Sequence, residues 1–249
     1  MEICKLCLSK NILVKKSHIF PEFLYKGMYD EKHTMFEFNP KYLLKENSKQ
    51  KKVQSGIHEG SLLCFNCENL LSKYEHYANK VLFGGKRSDP EIPKFNNIKV
   101  NDSEFTHVTN IDYTKFKLFI LSLVWRTSIS SKPLFQEIDL GKYDEILRTM
   151  IVTNNPGNEN DFPFLWMHFL KDNSFPQDAL IIGQPSFEKF DDLTICKFLI
   201  RKFWIVCAIG VNINNIFFHE FTIKKSNELK LFSIPEGSAT QFIMNHFGM

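Results

Sequence analysis

Two Cys-x-x-Cys pairs constrain this chain more than any other feature of its sequence. Cys4 and Cys7 form the first pair, Cys64 and Cys67 form the second, and 56 residues lie between the two pairs. Each pair can direct two sulfur atoms the same way from one tight turn, and four thiolates complete a tetrahedral shell around Zn²⁺. We therefore predict a structural zinc site that joins these two distant segments.

The cysteines and the short length of the apolar runs predict the cellular compartment of the protein. In a reducing compartment, two Cys-x-x-Cys motifs more often bind a metal ion than form disulfides. The first residues of the chain lack the apolar region of a secretory signal. The longest apolar run, Phe116 to Trp125, is shorter than the roughly 20 residues of a membrane span. We expect a cytoplasmic protein without a membrane partner. Cys196 and Cys207 lie in apolar runs, and we expect both in the core.

Charge is distributed unevenly along the chain. Residues 1–87 carry 15 Lys and Arg against 9 Asp and Glu, whereas residues 88–249 carry 16 against 19. The basic part is therefore also the part that holds the cysteine pairs. This pattern is typical of a surface that binds DNA or RNA, and it is also found on lysine-rich faces that contact only water.

Apolar spacing divides the chain into two regions of different structure. Residues 68–83 have helical spacing and stop at two glycines, and residues 113–130 and 141–152 predict two further helices. Short β-branched and aromatic runs follow, and they predict strands over 162–170, 179–183, 193–200, 203–211, 215–221 and 229–234. A last helix is expected near residues 238–248. The predicted fold class is α+β, with a domain over 1–87, a linker over 88–112, and a domain of two helices and an antiparallel sheet over 113–249.

One segment between the cysteine pairs resembles a known family. Ser17-His18-Ile19-Phe20-Pro21 follows the first pair, and Leu62-Leu63 precedes the second pair, which leads directly into the helix. Together these motifs resemble the HNH endonucleases, whose ββα-metal site is built on a treble clef. The resemblance covers roughly residues 4–85, about a third of the chain. It implies a zinc-bound treble-clef module at the N-terminus. The whole chain also resembles, more loosely, the two-part HNH-like proteins of bacterial (antiviral) defence loci.

The resemblance also implies site residues. His18 would be the general base that activates water against a nucleic-acid phosphodiester, most often in DNA. Glu68 would bind a catalytic Mg²⁺ or Mn²⁺ from the helix, and Glu59 would replace the Asn that braces the loop in this family. Ser17 stands where the family has an aspartate that binds the metal ion.

Alternatives follow from the same residues. Because Ser17 is a poor ligand for a cation, the chain is also consistent with a non-catalytic, zinc-stabilised subunit that binds nucleic acid or protein. His18 would then be a structural residue. Glu75, two turns along the helix from Glu68, is expected either in water or as an orienting group, and Arg126 as a packing or pairing residue or as a phosphate contact. Residues 113–249 are a candidate surface for a protein partner.

Overall fold

The structure is a computed structural model that describes residues 1–37, 51–85, 89–100, 103–169, 182–183, 185–190 and 193–247. This part of the chain has an α+β fold with five α-helices and thirteen strands. The helices are α1 (Phe65–Phe83), α2 (Tyr113–Ile129), α3 (Tyr143–Val152), α4 (Ile216–Phe221) and α5 (Ala239–Phe247).

Six short strands in the first part of the chain form three two-stranded antiparallel sheets. They are β1 (Glu2–Ile3) with β2 (Lys10–Asn11), β3 (Ser17–His18) with β6 (His58–Glu59), and β4 (Met35–Glu37) with β5 (Lys51–Val53). None is longer than three residues. Such pairs are marginally stable on their own, so they depend on what surrounds them.

The remaining strands form one seven-stranded sheet in the order β10-β11-β12-β9-β13-β8-β7. The strands are β7 (Lys94–Val100), β8 (Ser103–Thr109), β9 (Phe164–His168), β10 (Ser186–Phe190), β11 (Leu193–Ile200), β12 (Phe203–Ala208) and β13 (Glu228–Ser233). Both faces are covered. The Trp166 ring packs on Phe116 of α2 at 5.1 Å between centroids, and the Trp204 ring packs on Phe242 of α5 at 5.0 Å.

Residues 88–112, predicted as a linker, contain β7 and β8 of this sheet. β7 pairs with β8, and β8 pairs with β13. The prediction was wrong because β7 is an edge strand whose side chains from Lys94 to Asn97 are exposed, so it carries no apolar alternation. Apolar packing also crosses the predicted boundary, since buried residues of α1 and α2 belong to one continuous core.

Three further predictions need correction. Residues 215–221 were predicted as a strand, and they form α4, because the Asn215 side chain accepts hydrogen bonds from the Phe217 and Phe218 amides and caps a helix. The sheet is mixed and not purely antiparallel, because β13 runs parallel to β9. Residues 113–249 hold four described helices, not two. Of the strand predicted over 179–183, only residues 182–183 are described, and Ile182 forms a bridge to Ile200.

Several predictions are confirmed. The helices expected over 68–83, 113–130, 141–152 and 238–248 correspond to α1, α2, α3 and α5. Cys196 and Cys207 are fully buried on facing positions of β11 and β12. None of the helices in the described ranges has both the length and the hydropathy required to cross a lipid bilayer.

A charged side chain lies inside the core that α2 forms with the sheet. Lys117 has no solvent exposure, and its Nζ donates hydrogen bonds to the Tyr113 hydroxyl and to the Asn158 carbonyl. Burial lowers the pKa of Lys117 to about 8 from its ordinary value of 10.5, because a buried ammonium loses hydration. A folded-state pKa below the unfolded-state value means that the protonated lysine opposes folding.

We expect the free energy of unfolding to rise with pH between about 8 and 10. In that range Lys117 is protonated in the unfolded chain and deprotonated in the folded chain. The free energy of unfolding should therefore rise by about 3 kcal/mol in total between pH 8 and 10.5. Lys117→Met should remove most of the rise in urea denaturation, whereas Lys73→Met, on the exposed face of α1, should retain it. Parallel pH curves for wild type and Lys117→Met would contradict this.

Candidate functional site

The four cysteines of the two predicted pairs lie together. Cys4 and Cys7 are on the turn between β1 and β2, Cys64 is the residue before α1, and Cys67 is in its first turn. Their sulfur atoms all lie within 4.8 Å of one another, and those of Cys7 and Cys64 are 3.9 Å apart. Zn–S bonds of about 2.3 Å in a tetrahedron separate sulfur atoms by about 3.8 Å, so the cluster fits a zinc ion.

Backbone hydrogen bonds hold the two cysteine pairs in register. The Lys5 amide donates to the Leu62 carbonyl, the Val14 amide donates to the Leu63 carbonyl, and each bond is 2.9 Å long. The Cys64 amide donates to the Cys4 sulfur at 3.3 Å. N–H groups directed at sulfur stabilise a thiolate, which is the form that binds metal.

Metal analysis of the purified protein should give one zinc ion per chain. Cys7→Ser removes one of the four ligands, so this variant should lose zinc to a chelator and melt at a lower temperature, because zinc binding contributes directly to folding. Cys196→Ala is the matched control, since it changes a buried cysteine outside the cluster and should keep the zinc. Equal zinc content in Cys7→Ser and wild type would refute the assignment.

His18 lies on the short antiparallel pair that β3 forms with β6. In the β3–β6 pair, His18 faces His58 and Ser17 faces Glu59, and α1 follows β6 by way of Cys64. The His18 side chain is about one-third exposed, and its ring centroid lies 6.0 Å from that of His58. Between β3 and β6 the chain forms a 3₁₀ helix and the β4–β5 pair, so the two strands that precede α1 in space are not consecutive in sequence.

Glu22 is the acidic partner of His18. It lies in a short 3₁₀ helix, Glu22–Tyr25, and its Oε2 is 3.2 Å from the Nε2 atom of His18. The Tyr29 hydroxyl donates to the other carboxylate oxygen at 2.7 Å. The sequence analysis missed both Glu22 and His58. The i, i+4 spacing of His18 and Glu22 was the available signal for Glu22, whereas no spacing relates His58 to His18.

Burial lowers the pKa of His18, and the carboxylates of Glu22 and Glu75 oppose this. Electrostatic repulsion from His58 and from the Arg126 guanidinium lowers the pKa of His18 further. The lowered pKa favours the neutral imidazole, which can accept a proton.

Glu68 lies in the first turn of α1 next to Ser17. Its Oε1 atom and the Ser17 Oγ atom are buried, and neither has a hydrogen bond of standard geometry to another described residue. Burial raises the pKa of the Glu68 carboxyl, and nearby Ser17 and Arg126 oppose the rise. The Glu68 carboxyl therefore lies next to Ser17, the residue before His18, and near the Arg126 guanidinium.

Glu59 contacts the end of α2. Its carboxylate accepts hydrogen bonds from the Ser130 hydroxyl at 2.6 Å and from the Ser131 hydroxyl and amide at 2.7 and 3.0 Å. These bonds lower the pKa of Glu59, although burial, the largest single influence, raises it. The bracing role predicted for Glu59 concerned a loop of the zinc region, whereas the contact observed is with residues that follow α2.

Arg126 of α2 connects this helix to β3 and to α1. Its guanidinium is almost fully buried and donates to the Glu75 carboxylate at 2.7 Å and to the His18 carbonyl at 2.9 Å. It also donates to the Ser122 carbonyl and hydroxyl. The packing and pairing alternative for Arg126 is therefore confirmed, and Glu75 is its partner.

No protein-family model matches this chain, and no curated protein or solved structure is significantly similar to it. The candidate site therefore rests on geometry alone. Within the described ranges, the four cysteines are the only group of three or more His, Cys, Asp or Glu residues whose ligand atoms are close enough to share a metal ion.

Arg126→Met should destabilise the fold by about 3 kcal/mol, because it leaves the buried side of Glu75 and the His18 carbonyl without a donor. The double variant Arg126→Met/Glu75→Met should lose less than the sum of the two single changes, since the unpaired carboxylate is then absent. Urea denaturation of the four proteins measures this coupling. Additive losses would show that the ion pair does not hold α1 to α2.

Proposed function

We propose that the chain is a divergent HNH-type endonuclease that hydrolyses phosphodiester bonds, with DNA as the substrate. The observation that carries this proposal is the position of His18. Its partly exposed imidazole lies on β3, which pairs with β6, and β6 precedes the helix that begins in the cysteine cluster. The cluster would hold structural zinc in a treble clef, and the imidazole would act as the general base.

The charges near His18 support an anionic substrate. Lys15 and Lys16 precede β3 directly, both are exposed, and neither has an acidic partner among the described residues. A phosphodiester that approaches His18 would therefore meet positive charge. Lysines so placed would orient the phosphate and stabilise the charge that develops on its oxygens.

A divalent cation would add to this stabilisation. Glu68 is the residue that we propose to hold Mg²⁺ or Mn²⁺. Its buried Oε1 atom, which forms no hydrogen bond of standard geometry within the described ranges, supports this. Hard cations of this kind bind one or two carboxylates and take their other ligands from water and phosphate. The cation would polarise the phosphoryl oxygen.

A second candidate is a zinc-stabilised subunit that binds nucleic acid or protein without cleaving it. Arg126 favours this alternative, because its buried guanidinium already supplies a positive charge next to Glu68 and Glu75. In that case His18 would belong to the structural contact between β3 and α2.

Cleavage of supercoiled plasmid with Mg²⁺ or Mn²⁺ distinguishes the two candidates. We expect His18→Ala to lower the rate at least 100-fold, since general base catalysis contributes about 10²- to 10⁴-fold, and to retain zinc. His107→Ala, which changes a histidine on β8, is the control and should cleave like the wild type.

Cleavage by His18→Ala at the wild-type rate would exclude His18 as the base. A wild-type protein that binds DNA in a gel-shift assay but cleaves neither plasmid nor single strands would support the second candidate. Loss of zinc from His18→Ala would require the same measurement on His18→Gln, which retains a polar side chain.

A further inference from the structure

The side of His18 that faces solvent carries a chain of three polar side chains. The Nε2 atom of His18 lies 3.2 Å from Glu22, and the other oxygen of Glu22 accepts the Tyr29 hydroxyl at 2.7 Å. The Tyr29 ring in turn stacks on His33, with 4.1 Å between centroids. Each member therefore has its orientation fixed by the next.

This arrangement determines which ring nitrogen of His18 carries the proton. A carboxylate oxygen carries only lone pairs, and this one lies 3.2 Å from Nε2, so its charge favours the form in which Nε2 carries the proton. In a neutral imidazole the Nδ1 atom then carries the free lone pair. None of the described residues forms a hydrogen bond with this atom, so it can accept a proton from a water molecule.

We propose that Glu22 is a positioning residue for His18, and that it holds the imidazole in the Nε2–H form and stabilises the imidazolium that forms during catalysis. Tyr29 holds Glu22 in place. The proposal rests on the proposed nuclease function for its catalytic part, whereas the hydrogen-bonded state of His18 can be measured without any activity.

The proton transfer that Glu22 supports is balanced within the hydrolysis reaction. An O–H bond of water breaks, and its proton moves to Nδ1 of His18. The oxygen of the resulting hydroxide forms a bond to phosphorus, and the P–O bond to the leaving group breaks, with the electron pair going to the leaving oxygen. That oxygen takes a proton from solvent. A carboxylate on Nε2 favours this step because the ring becomes positively charged.

Charged groups reach His18 from four elements. Glu22 comes from the 3₁₀ helix, His58 from β6, Glu75 from α1 and Arg126 from α2. Because Arg126 is paired with Glu75, the carboxylate of Glu22 is the negative charge that the ring contacts directly. Removal of the Glu22 charge should therefore lower the pKa of His18 and leave the buried contacts intact.

Nitrogen NMR of the histidine rings tests the proposal directly. Spectra of wild type, Glu22→Gln and Tyr29→Phe across pH 4 to 9, with His18→Gln for assignment, report the tautomer and the pKa of His18. We expect the Nε2–H form in wild type, and a lower pKa with a mixture of tautomers in Glu22→Gln. An Nδ1–H form in wild type, or a pKa that Glu22→Gln does not change, would overturn the proposal.

The cleavage assay adds a catalytic readout. Glu22→Gln should lower kcat about tenfold, move the acidic limb of the pH profile to lower pH, and leave KM unchanged, because the base is weaker and less well oriented. Glu31→Gln, an exposed change in the same segment, is the matched control and should have no effect. Glu22→Asp should recover part of the rate if the charge is what matters.

The nuclease function and the positioning role of Glu22 can be refuted independently. A wild type that does not cleave would refute the nuclease function, and the NMR result would still decide whether Glu22 sets the state of His18. A Glu22→Gln variant with wild-type kcat and pH profile would refute the positioning role, even if His18→Ala is inactive.

Discussion

The first part of the structure depends on bringing four cysteine sulfur atoms together. All strands before α1 have two or three residues, and pairs this short do not fold alone. The cysteine cluster joins the β1–β2 turn to the start of α1, and the backbone bonds of Lys5 and Val14 to Leu62 and Leu63 then align the chain between them. A bound ion at this point would add to the apolar core that this region shares with α2 and the sheet.

The buried guanidinium of Arg126 is the second constraint. It lies in an almost wholly buried helix, and a buried cation is tolerated only with a negative partner and with its donors satisfied. Its partners are Glu75 on α1 and the backbone of His18 on β3. The position of His18 is thus fixed by a residue 108 positions later in the chain, so the zinc region and the region around the sheet act as one structural unit at this site.

Features with strong local signals were predictable from the sequence. The repeated spacing of Cys4, Cys7, Cys64 and Cys67 and the apolar periodicity of α1, α2 and α3 correspond directly to the structure. β7 could not be predicted because an exposed edge strand lacks the alternation of apolar and polar residues. α4 could not be predicted because capping by Asn215 outweighs the β preference of its phenylalanines. The pairing of His18 with His58 depends on the register of two-residue strands, which no sequence pattern reveals.

The two sides of His18 differ in a way that determines where chemistry can occur. On the buried side, Arg126 satisfies the carbonyl of His18 and the carboxylate of Glu75, so these groups are committed to structure. On the exposed side, the ring contacts Glu22, whose side chain is about half exposed, and lies opposite His58 of β6. The backbone of His18 is thus fixed from within by Arg126, while its imidazole stays partly exposed and 3.2 Å from a carboxylate oxygen. An accessible imidazole next to a carboxylate is the arrangement that the proposed general base requires.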